Sequence, residues 1–455
     1  MVMVKESTGF LKGYLQDFGL GDFWCTMAMR IVLAFILHRG RMSCSCAAGM
    51  IASEPVHRSQ VTRFLARSRW KKMNINSIAR KQLLALEKRK GAFLILVDGT
   101  LVGQAGKLTE NTYSTGNRSK RPRKKGSRYN KYKHAKRSCH QFIFCVLITP
   151  SSHRIPYYLP HYTKEYCKKH NLESISTTQA AARLIEQIEL PKEAEVYVIG
   201  DTAFDSQEFH SVCERKGYYW INPVNSSRVF AGPKSKRPQV RTRLKDWNSL
   251  KLKSIKIHPS TSEYASYRRL SRWRIGSKLK PRIYYAHQEA REVHSVGKVR
   301  LVYSTTKPNL TKATPDDVKI LMTNAMHLSL SQIIDLYSIR WQIEVFFKEL
   351  KSRLGFDQYR FKKFGEVEGW VTLAITTVLF LEMLRAKQLA RRDLTKEQRL
   401  WWSTQRMHGL SEAFIQMTES SELKFISERI KTSGGIAKLK RLLHNTTPKE
   451  YRMAA

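Results

Sequence analysis

The chain has 455 residues, of which 81 are Lys or Arg and 37 are Asp or Glu, giving a formal net charge of +44. A hydrophobic content of 42% with 10% aromatic residues excludes a disordered chain, and the length exceeds what one ordinary core needs. So large a positive charge predicts a polyanionic partner, nucleic acid first and an anionic membrane surface second, unless it reflects solubility or genome composition alone.

Residues 1–75 are predicted to form a helical DNA-binding region. Two helices within it, at 44–51 and 57–67, are joined by a short turn, and the second carries Arg58 and Arg63 away from its apolar face. A helix-turn-helix that grips DNA with these arginines and an ordinary helical hairpin with a basic surface fit this pattern equally well.

An apolar run at 92–98 ends in Asp98 and is predicted to be a buried strand, followed by a long loop over 99–141. The part of this loop at 118–137 contains eleven Lys or Arg residues and no acid, with two tyrosines among them. Such a run is usually a solvated arm, but beside an acidic site it equally suits a grip on the DNA backbone. The candidate DNA contacts in this arm are Arg123, Lys124 and Lys125.

The region between 142 and 224 alternates apolar runs with helical patterns. The predicted strands cover 142–149, 153–160, 194–201 and 218–224, and the predicted helices cover 177–190 and 206–216. The third of these strands ends in Asp201, and Asp205 is expected to cap the helix that follows. From residue 92 onward, the order β-β-β-α-β-α-β predicts an α/β domain with a mixed sheet.

Residues 224–300 change in character, since a stretch rich in Lys, Arg, Gly and Pro precedes segments that alternate apolar and polar residues. We predict a β-rich insertion here, with strands at 250–258, 281–287 and 298–306. A strand at 317–325 then returns to the first domain, and the tail beyond 391 is basic, amphipathic and predicted to be helical.

Two apolar runs, at 23–37 and 370–381, are too short to span a bilayer and are predicted to form core helices, so we expect no membrane association. The seven cysteines show no paired spacing, and Cys44 with Cys46 form a lone CxC motif. Thiols in a reducing cytoplasm are therefore favoured over disulfides or a zinc site.

A helical segment near residue 340 carries polar residues along one edge. Four of them, at offsets 0, 3, 7 and 14, would fall within a stripe about 60° wide on a single α-helix. They are Tyr337, Arg340, Glu344 and Lys351. The apolar residues fall together on a neighbouring face, which predicts a helix that packs with one side and presents one carboxylate between two cations and a phenol. This set of groups suits a metal ion and a phosphate together.

Asp98, Asp201 and Glu344 form the candidate catalytic and metal-binding triad. A carboxylate at the end of a buried strand is exposed at the rim of the sheet, and a helix packed on that sheet can bring a third one to it. Three carboxylates can hold two Mg²⁺ ions, which activate a water or a 3′-hydroxyl and stabilise the leaving oxygen of an in-line displacement. Taken singly, such an aspartate is often a turn residue, and such a glutamate is often part of a surface ion pair.

The three carboxylates in this order, with the spacing Y-x2-R-x3-E-x6-K, resemble the DDE transposases of bacterial insertion sequences. More narrowly, the Tyr-Arg-Glu-Lys spacing is similar to the mark of the insertion-sequence-four group, as are VDGT around Asp98 and GDTAFD around Asp201. The resemblance covers about 90–390.

The resemblance implies an α/β fold with an RNase H-like mixed sheet and flanking helices, interrupted by a β-rich insertion. It implies that Asp98, Asp201 and Glu344 hold two Mg²⁺ ions, for which Mn²⁺ can substitute. It also implies that the DNA phosphates near a transposon end are held by Tyr337, Arg340 and Lys351.

Members of the resembled family typically cut double-stranded DNA at both transposon ends, form hairpins there and join the ends to target DNA within a synaptic dimer. We therefore expect transposon-end and target DNA as partners, a homodimer, and a cytoplasmic, nucleoid-associated bacterial protein. Some members hold a flipped base with an aromatic residue of the insertion. Trp247 and Trp273 are the candidates, with Trp273 preferred, although packing is the commoner role of such residues.

The expected organisation divides the chain into a DNA-binding region, a core in two parts, an insertion and a tail. The helical N-terminal region covers 1–75, the catalytic core 76–223 and 301–390, the β-rich insertion 224–300, and the helical C-terminal region 391–455. Two alternatives remain open. Another RNase H-like nuclease explains the carboxylates but not the full spacing, and an inactive, transposase-derived DNA-binding protein conflicts with the intact carboxylates.

Overall fold

The computed structural model describes residues 5–38, 40–51, 55–71, 73–104, 108–115, 137–233, 237–270, 279–307 and 317–430. Its N-terminal part is helical, as predicted. The helices are α1 (Lys5–Gln16), α2 (Asp22–Leu37), α3 (Cys44–Ala48), α4 (Arg58–Ala66), α5 (Ser68–Lys71) and α6 (Ile75–Ala85). All seven cysteines are free thiols.

The described strands form one mixed sheet of ten strands. They are β1 (Phe93–Gln104), β2 (Tyr113–Thr115), β3 (Arg137–Ile148), β4 (Arg154–His161), β5 (Val196–Ile199), β6 (Tyr219–Pro223), β7 (Lys253–Ile257), β8 (Arg282–Val293), β9 (Gly297–Thr305) and β10 (Lys319–Thr323). Their order is β2-β3-β1-β5-β6-β10-β9-β8-β7, and β4 also pairs with β3.

One half of the sheet combines an antiparallel meander with two parallel strands. β3 pairs antiparallel with β1 and β4, whereas β5 runs parallel to both β1 and β6. Parallel neighbours require crossover connections. These contain α7 (Lys164–His170), α8 (Thr177–Glu186) and α9 (Gln207–Arg215). The order β4-β3-β1-β5-β6 is consistent with an RNase H-like core, so the predicted α/β class with a mixed sheet is confirmed.

β1 is longer than the sequence predicts. It passes through Asp98 and continues to Gln104, because its residues find partners on β3 as far as Gln104 opposite Ser138. The prediction that Asp98 ends its strand is therefore wrong, as is the prediction that one loop covers 99–141, since β2 and the first residues of β3 lie within that range.

The strands β7, β8 and β9 lie between β6 and β10 in the chain and extend the same sheet. β10 joins them to the core, since it pairs with β6 on one side and with β9 on the other. β9 crosses the predicted boundary at residue 300. The described region also contains the 3₁₀ segments Val240–Ser249 and Ala265–Arg268.

The chain after β10 is helical. The helices are α10 (Leu330–Ile339), α11 (Trp341–Leu354), α12 (Phe364–Ala390), α13 (Lys396–Thr404) and α14 (Met407–Ile430).

By length and composition α12 could cross a membrane, but 89% of its apolar stretch is buried inside the protein. It contacts α2, α4 and α6, and a Cβ at Gly369 would lie 2.5 Å from the carbonyl oxygen of Leu65 on α4. The N-terminal helices therefore share one hydrophobic core with the sheet.

A buried ion cluster connects α12 to neighbouring segments. Glu382 accepts two hydrogen bonds from Arg269, at 2.7 and 2.6 Å, and lies 3.8 Å from His153. Arg385, one turn further along α12, donates to the carbonyl oxygen of Ser403 at 3.0 Å. Burial alone would raise the pKa of Glu382, but the neighbouring Arg269, His153 and Arg385 outweigh burial and hold this pKa well below its usual range.

We expect Glu382→Gln to lower the free energy of unfolding by about 3–5 kcal/mol, because Arg269 and Arg385 would remain buried without a negative partner. Urea unfolding followed by tryptophan fluorescence measures this change. Glu193→Gln removes an exposed carboxylate before β5 and should change stability by less than about 0.5 kcal/mol. Equal stability of the two variants would contradict the structural role of the cluster.

Candidate active site

Two adjacent parallel strands bring the first two candidate carboxylates together. The pairing of β1 with β5 ends with Leu96 opposite Ile199, and Asp98 and Asp201 each follow two residues later. Neighbouring strands lie about 4.8 Å apart, so both aspartates stand at the same level, just beyond the carboxyl end of this strand pairing. We call this place the acidic edge of the sheet. Because β5 ends at Ile199 while β1 continues, space opens beside Asp98.

The loop that carries Asp201 is closely fitted against β6. Gly200 donates its N–H to the carbonyl oxygen of Ile221 at 3.2 Å, and a Cβ at Gly200 would lie only 2.5 Å from the side-chain nitrogen of Asn222. That nitrogen in turn donates to the carbonyl oxygen of Asp201 at 3.5 Å. The glycine before Asp201 is therefore required by close packing.

Asp205 is not the helix cap that the sequence predicts. Ser206 caps α9 by accepting the N–H of Phe209. The Asp205 carboxylate is buried instead, 2.8 Å from the guanidinium of Arg228, and it accepts the N–H of Asn225 at 2.8 Å. This clamp joins the loop of the second aspartate to the segment after β6, a pairing that local sequence does not reveal.

Helix packing brings the third carboxylate to the same edge. Phe347 of α11 packs against Phe144 of β3, with ring centroids 5.3 Å apart. The residues of the predicted apolar face are all buried, namely Leu336, Ile339, Ile343, Phe347, Leu350 and Leu354. Glu344 therefore lies on the side of α11 next to β1, only partly buried.

The predicted single helix is divided at Arg340, which keeps helical backbone angles (φ −46°, ψ −36°). The hydrogen bonds tighten there, since the N–H of Arg340 bonds the carbonyl oxygen of Tyr337 and the N–H of Ile343 bonds that of Arg340. Such three-residue spacing belongs to a 3₁₀ turn. The apolar face continues across the break, since its residues on both sides of Arg340 are buried.

Arg340 bridges two of the three carboxylates. Its guanidinium lies 3.5 Å from Oδ2 of Asp98 and 2.6 Å from Oε1 of Glu344. Burial alone would lower the pKa of Arg340, but Tyr337, Glu344 and Asp201 outweigh burial and raise it. Arg340 is thus a permanent cation between two acids.

The pKa of Asp98 is raised above its ordinary value, chiefly by burial. Burial raises this pKa, and the negative fields of Asp201 and Glu344 raise it further, whereas the N–H of Gly99 and the guanidinium of Arg340 lower it. The N–H of Gly99 donates to Oδ1 of Asp98 at 2.7 Å. Like charges therefore repel each other at this edge, and a divalent cation would relieve that repulsion.

The donor set suits a hard divalent cation, because all three candidate ligands offer carboxylate oxygens. Among the described residues, however, no group of three or more His, Cys, Asp and Glu side chains is gathered closely enough to hold a metal ion. Arg340 stands between Asp98 and Glu344. The structure thus brings the carboxylates to one edge without arranging them around a common point.

Lys319, the first residue of β10, is a cation of this site that sequence reasoning missed. Its ammonium lies 3.4 Å from the hydroxyl of Tyr337 and 5.0 Å from the centroid of that ring. Burial and Arg340 lower the pKa of Lys319, whereas Asp201 and Glu344 oppose this fall. Burial raises the pKa of Tyr337 to about 12. The signal in the sequence that could have revealed Lys319 was its position at the start of the apolar strand that precedes the helix of Tyr337.

Lys351 lies further along α11, against the extension of β1. Its ammonium donates to the carbonyl oxygen of Leu101 at 3.0 Å, and burial lowers its pKa. The exposed Lys348 lies four residues after Glu344 and therefore on the same side of the helix. Cations thus continue along α11 away from the carboxylates.

A cavity of about 350 Å³ is lined by Arg340 but by none of the three candidate carboxylates, and its volume is within the range of ligand pockets. Arg340, Lys319 and Tyr337 line one part of it, and Trp341, whose surface is 59% exposed, lines another. The lining thus combines cations and aromatic rings with the carboxylate of Asp317.

The other predicted DNA contacts lie elsewhere. Arg58 and Arg63 are exposed on α4, where they line a groove of their own. Trp247 falls within the 3₁₀ segment Val240–Ser249. The remaining predicted contacts lie outside the described residues, namely Arg123, Lys124, Lys125 and Trp273.

The strand order and the acidic edge together define an RNase H-like domain. A family model described as the transposase DDE domain matches residues 89–380, well over half of the chain. The chain therefore belongs to the DDE transposase family. No curated protein matches it.

His210 lies beside the Asp205–Arg228 ion pair and should make the stability of the fold depend on pH. It is buried, stacked on Trp220 with ring centroids 3.8 Å apart, and lies 3.8 Å from Asp205. Burial lowers the pKa of His210 to about 4 against the opposing field of Asp205. Because an unfolded histidine titrates near about 6.5, the unfolded state binds more protons between these values, and stability is lost as the pH falls through that window.

We expect the wild type to lose about 2–3 kcal/mol more stability than His210→Gln between pH 7 and pH 4.5, because glutamine does not titrate. Urea unfolding at the two pH values measures the difference. His170→Gln, at an exposed histidine of α7, should keep the wild-type pH dependence. If His210→Gln also keeps it, His210 does not titrate as described.

Proposed function

We propose that this protein is a transposase of the insertion-sequence-four group that binds the ends of its own element, cleaves them by two-metal phosphodiester chemistry and joins them to target DNA. The observation that supports the proposal is that Asp98 and Asp201 stand at the same level of adjacent parallel strands while Arg340 contacts both Asp98 and Glu344. The narrower group assignment rests on the Y-x2-R-x3-E-x6-K spacing.

Asp98, Asp201 and Glu344 would hold two Mg²⁺ ions, for which Mn²⁺ can substitute. Bound ions supply an activated water or 3′-hydroxyl and stabilise charge on the leaving oxygen. The raised pKa of Asp98, caused by burial and by the two other carboxylates, supports a site that favours positive charge. The Asp205–Arg228 clamp would keep Asp201 oriented toward its partners.

The cations beside the carboxylates would hold the DNA backbone. The planar guanidinium of Arg340 offers paired donors to a phosphate, Lys351 offers a point charge, and Tyr337 offers a hydroxyl. Lys319, which contacts Tyr337, would add a further charge to the same phosphates. In this arrangement the chain orients the scissile phosphate and does not supply a side-chain nucleophile.

Transposon ends and target DNA are the proposed partners, and the net charge of +44 supports a polyanionic one. Hairpin ends, a homodimeric synaptic complex and a role for Trp273 in holding a flipped base belong to the proposal through the family resemblance. The proposed place of action is the nucleoid of the bacterial cytoplasm. Terminal inverted repeats beside the gene would favour a transposase over a repair nuclease.

We expect Asp201→Ala to reduce nicking of transposon-end DNA by about a thousandfold or more, since a lost metal ligand removes several kcal/mol of transition-state stabilisation. Nicking of an end-labelled duplex is measured with Mg²⁺, with Mn²⁺ and with EDTA, and DNA binding is measured in parallel. Binding should persist. The control Glu193→Ala, at the opposite end of β5, should cut like the wild type, and wild-type cutting by Asp201→Ala would refute the metal-site assignment.

We expect Arg340→Ala to weaken binding to a cleaved end and to reduce the slope of log affinity against log salt concentration by about 1, because one phosphate contact is lost. Fluorescence anisotropy across a KCl titration in EDTA measures both quantities. Arg215→Ala removes an arginine from an exposed ion pair with Glu186 and is the matched control. An unchanged slope for Arg340→Ala would contradict its phosphate role.

A further inference from the structure

A second basic surface lies beyond the C-terminal end of α11. A groove of about 640 Å³ runs between the helices α3 and α4 and the segment 358–363 that follows α11. We call it the basic groove. Its cations are Arg41, Arg58, Arg63, Arg360, Lys362 and Lys363. Only Arg58 and Arg63 belong to the predicted helix-turn-helix at 44–67, and the other four cations lie outside it.

The charge of the basic groove is not neutralised from within. All six cations are exposed, and no carboxylate in the described part of the chain lies within ion-pair distance of them. Arg63 donates to Ser59 of its own helix, and Arg360 donates to the carbonyl oxygen of Tyr359. The one carboxylate of the lining is Glu366, whose pKa is raised by burial although the nearby charges of Lys363 and Lys71 lower it. An unbalanced charge of this size favours an anionic ligand.

The lining fits a phosphate backbone better than a membrane or an acidic peptide. The cations of the lining include four arginines, and guanidinium donors are usual partners of backbone phosphates. The aromatic rings of the lining, Tyr359, Phe361 and Trp370, are buried in the core, whereas attachment to a lipid surface requires apolar side chains that can insert.

The two walls of the basic groove are held in place relative to α11. Gly355 ends α11 with a φ of 64°, and a Cβ there would lie 2.8 Å from the Cβ of Met42. The N–H of Met42 donates to the side chain of Gln358 in the second wall. On the other side, α4 packs on α12 at Gly369. The groove is therefore a rigid continuation of the helix that carries Glu344.

We infer that the basic groove binds the sugar-phosphate backbone of the DNA duplex whose end lies at the three carboxylates. Glu344 and Leu354 are separated by about 15 Å along the helix axis, or four to five base pairs of duplex. Lys348 and Lys351 lie along this path. A duplex following α11 thus meets the groove within half a helical turn of its end. This inference rests on the proposed function.

The test compares double variants that remove equal charge from opposite sides of the protein. Lys362→Ala/Lys363→Ala removes two groove lysines. Lys90→Ala/Lys192→Ala removes two exposed lysines that precede β1 and β5, at the edge of the sheet opposite the carboxylates. Binding of the full-length protein to a 30-base-pair duplex of arbitrary sequence is followed by fluorescence anisotropy in EDTA, across a KCl titration.

We expect the groove variant to bind about tenfold more weakly at 100 mM KCl and its salt slope to fall by about 1–2, because two phosphate contacts are lost. The opposite-edge variant should match the wild type. Lys362→Arg/Lys363→Arg should also match it, since the charge is retained. Thermal unfolding establishes that each variant is folded, and Arg58→Ala/Arg63→Ala tests the other wall independently.

Equal affinity of the groove and opposite-edge variants would overturn the inference, because the charge would then act without regard to position. A groove variant that keeps its DNA affinity but loses affinity for poly-glutamate would overturn it in favour of an acidic peptide. Failure of the proposed function is distinguishable, because it appears as a wild type that binds no duplex, or that binds without metal-dependent cutting.

Discussion

The parallel pairing of β1 with β5 is the constraint on which the site depends. β1 pairs with β3 from Leu94 to Gln104, whereas it pairs with β5 only from Phe93 to Leu96. The register of β5 then brings Asp201 level with Asp98, and its early end leaves that side of β1 uncovered. The Asp205 clamp, the helix α11 and the start of β10 all pack around this opening.

The cations of the described chain fall into two groups, according to whether a carboxylate lies close to them. In the interior, buried cations such as Arg268 and Arg269 have a carboxylate close by, Asp335 and Glu382 respectively, because an isolated charge is costly to bury. At the acidic edge Arg340 serves two carboxylates at once. The cations of the basic groove lack such partners within the described chain, so their charge is directed outward. This division separates groups that stabilise the fold from groups suited to a polyanion.

The N-terminal helices share one hydrophobic core with the mixed sheet. They pack on α12, and the contact of Gly369 with Leu65 shows how closely. Any ligand held by α4 is thereby placed at a defined distance from Glu344. Neighbouring helices of one core transmit position rigidly, since interiors are close-packed. This is why a surface built from distant parts of the chain can act together with the acidic edge.

Sequence by itself determined the α/β class, the apolar faces of the helices near Arg340 and the three candidate carboxylates, because periodicity and spacing are local properties. Only the tertiary structure decided that β1 runs on past Asp98, that Asp205 faces Arg228 instead of capping a helix, and that Lys319 joins the site. Each of these depends on partners distant in the chain. Strand pairing and burial depend on interactions with such distant partners, and the sequence of a single segment does not specify them.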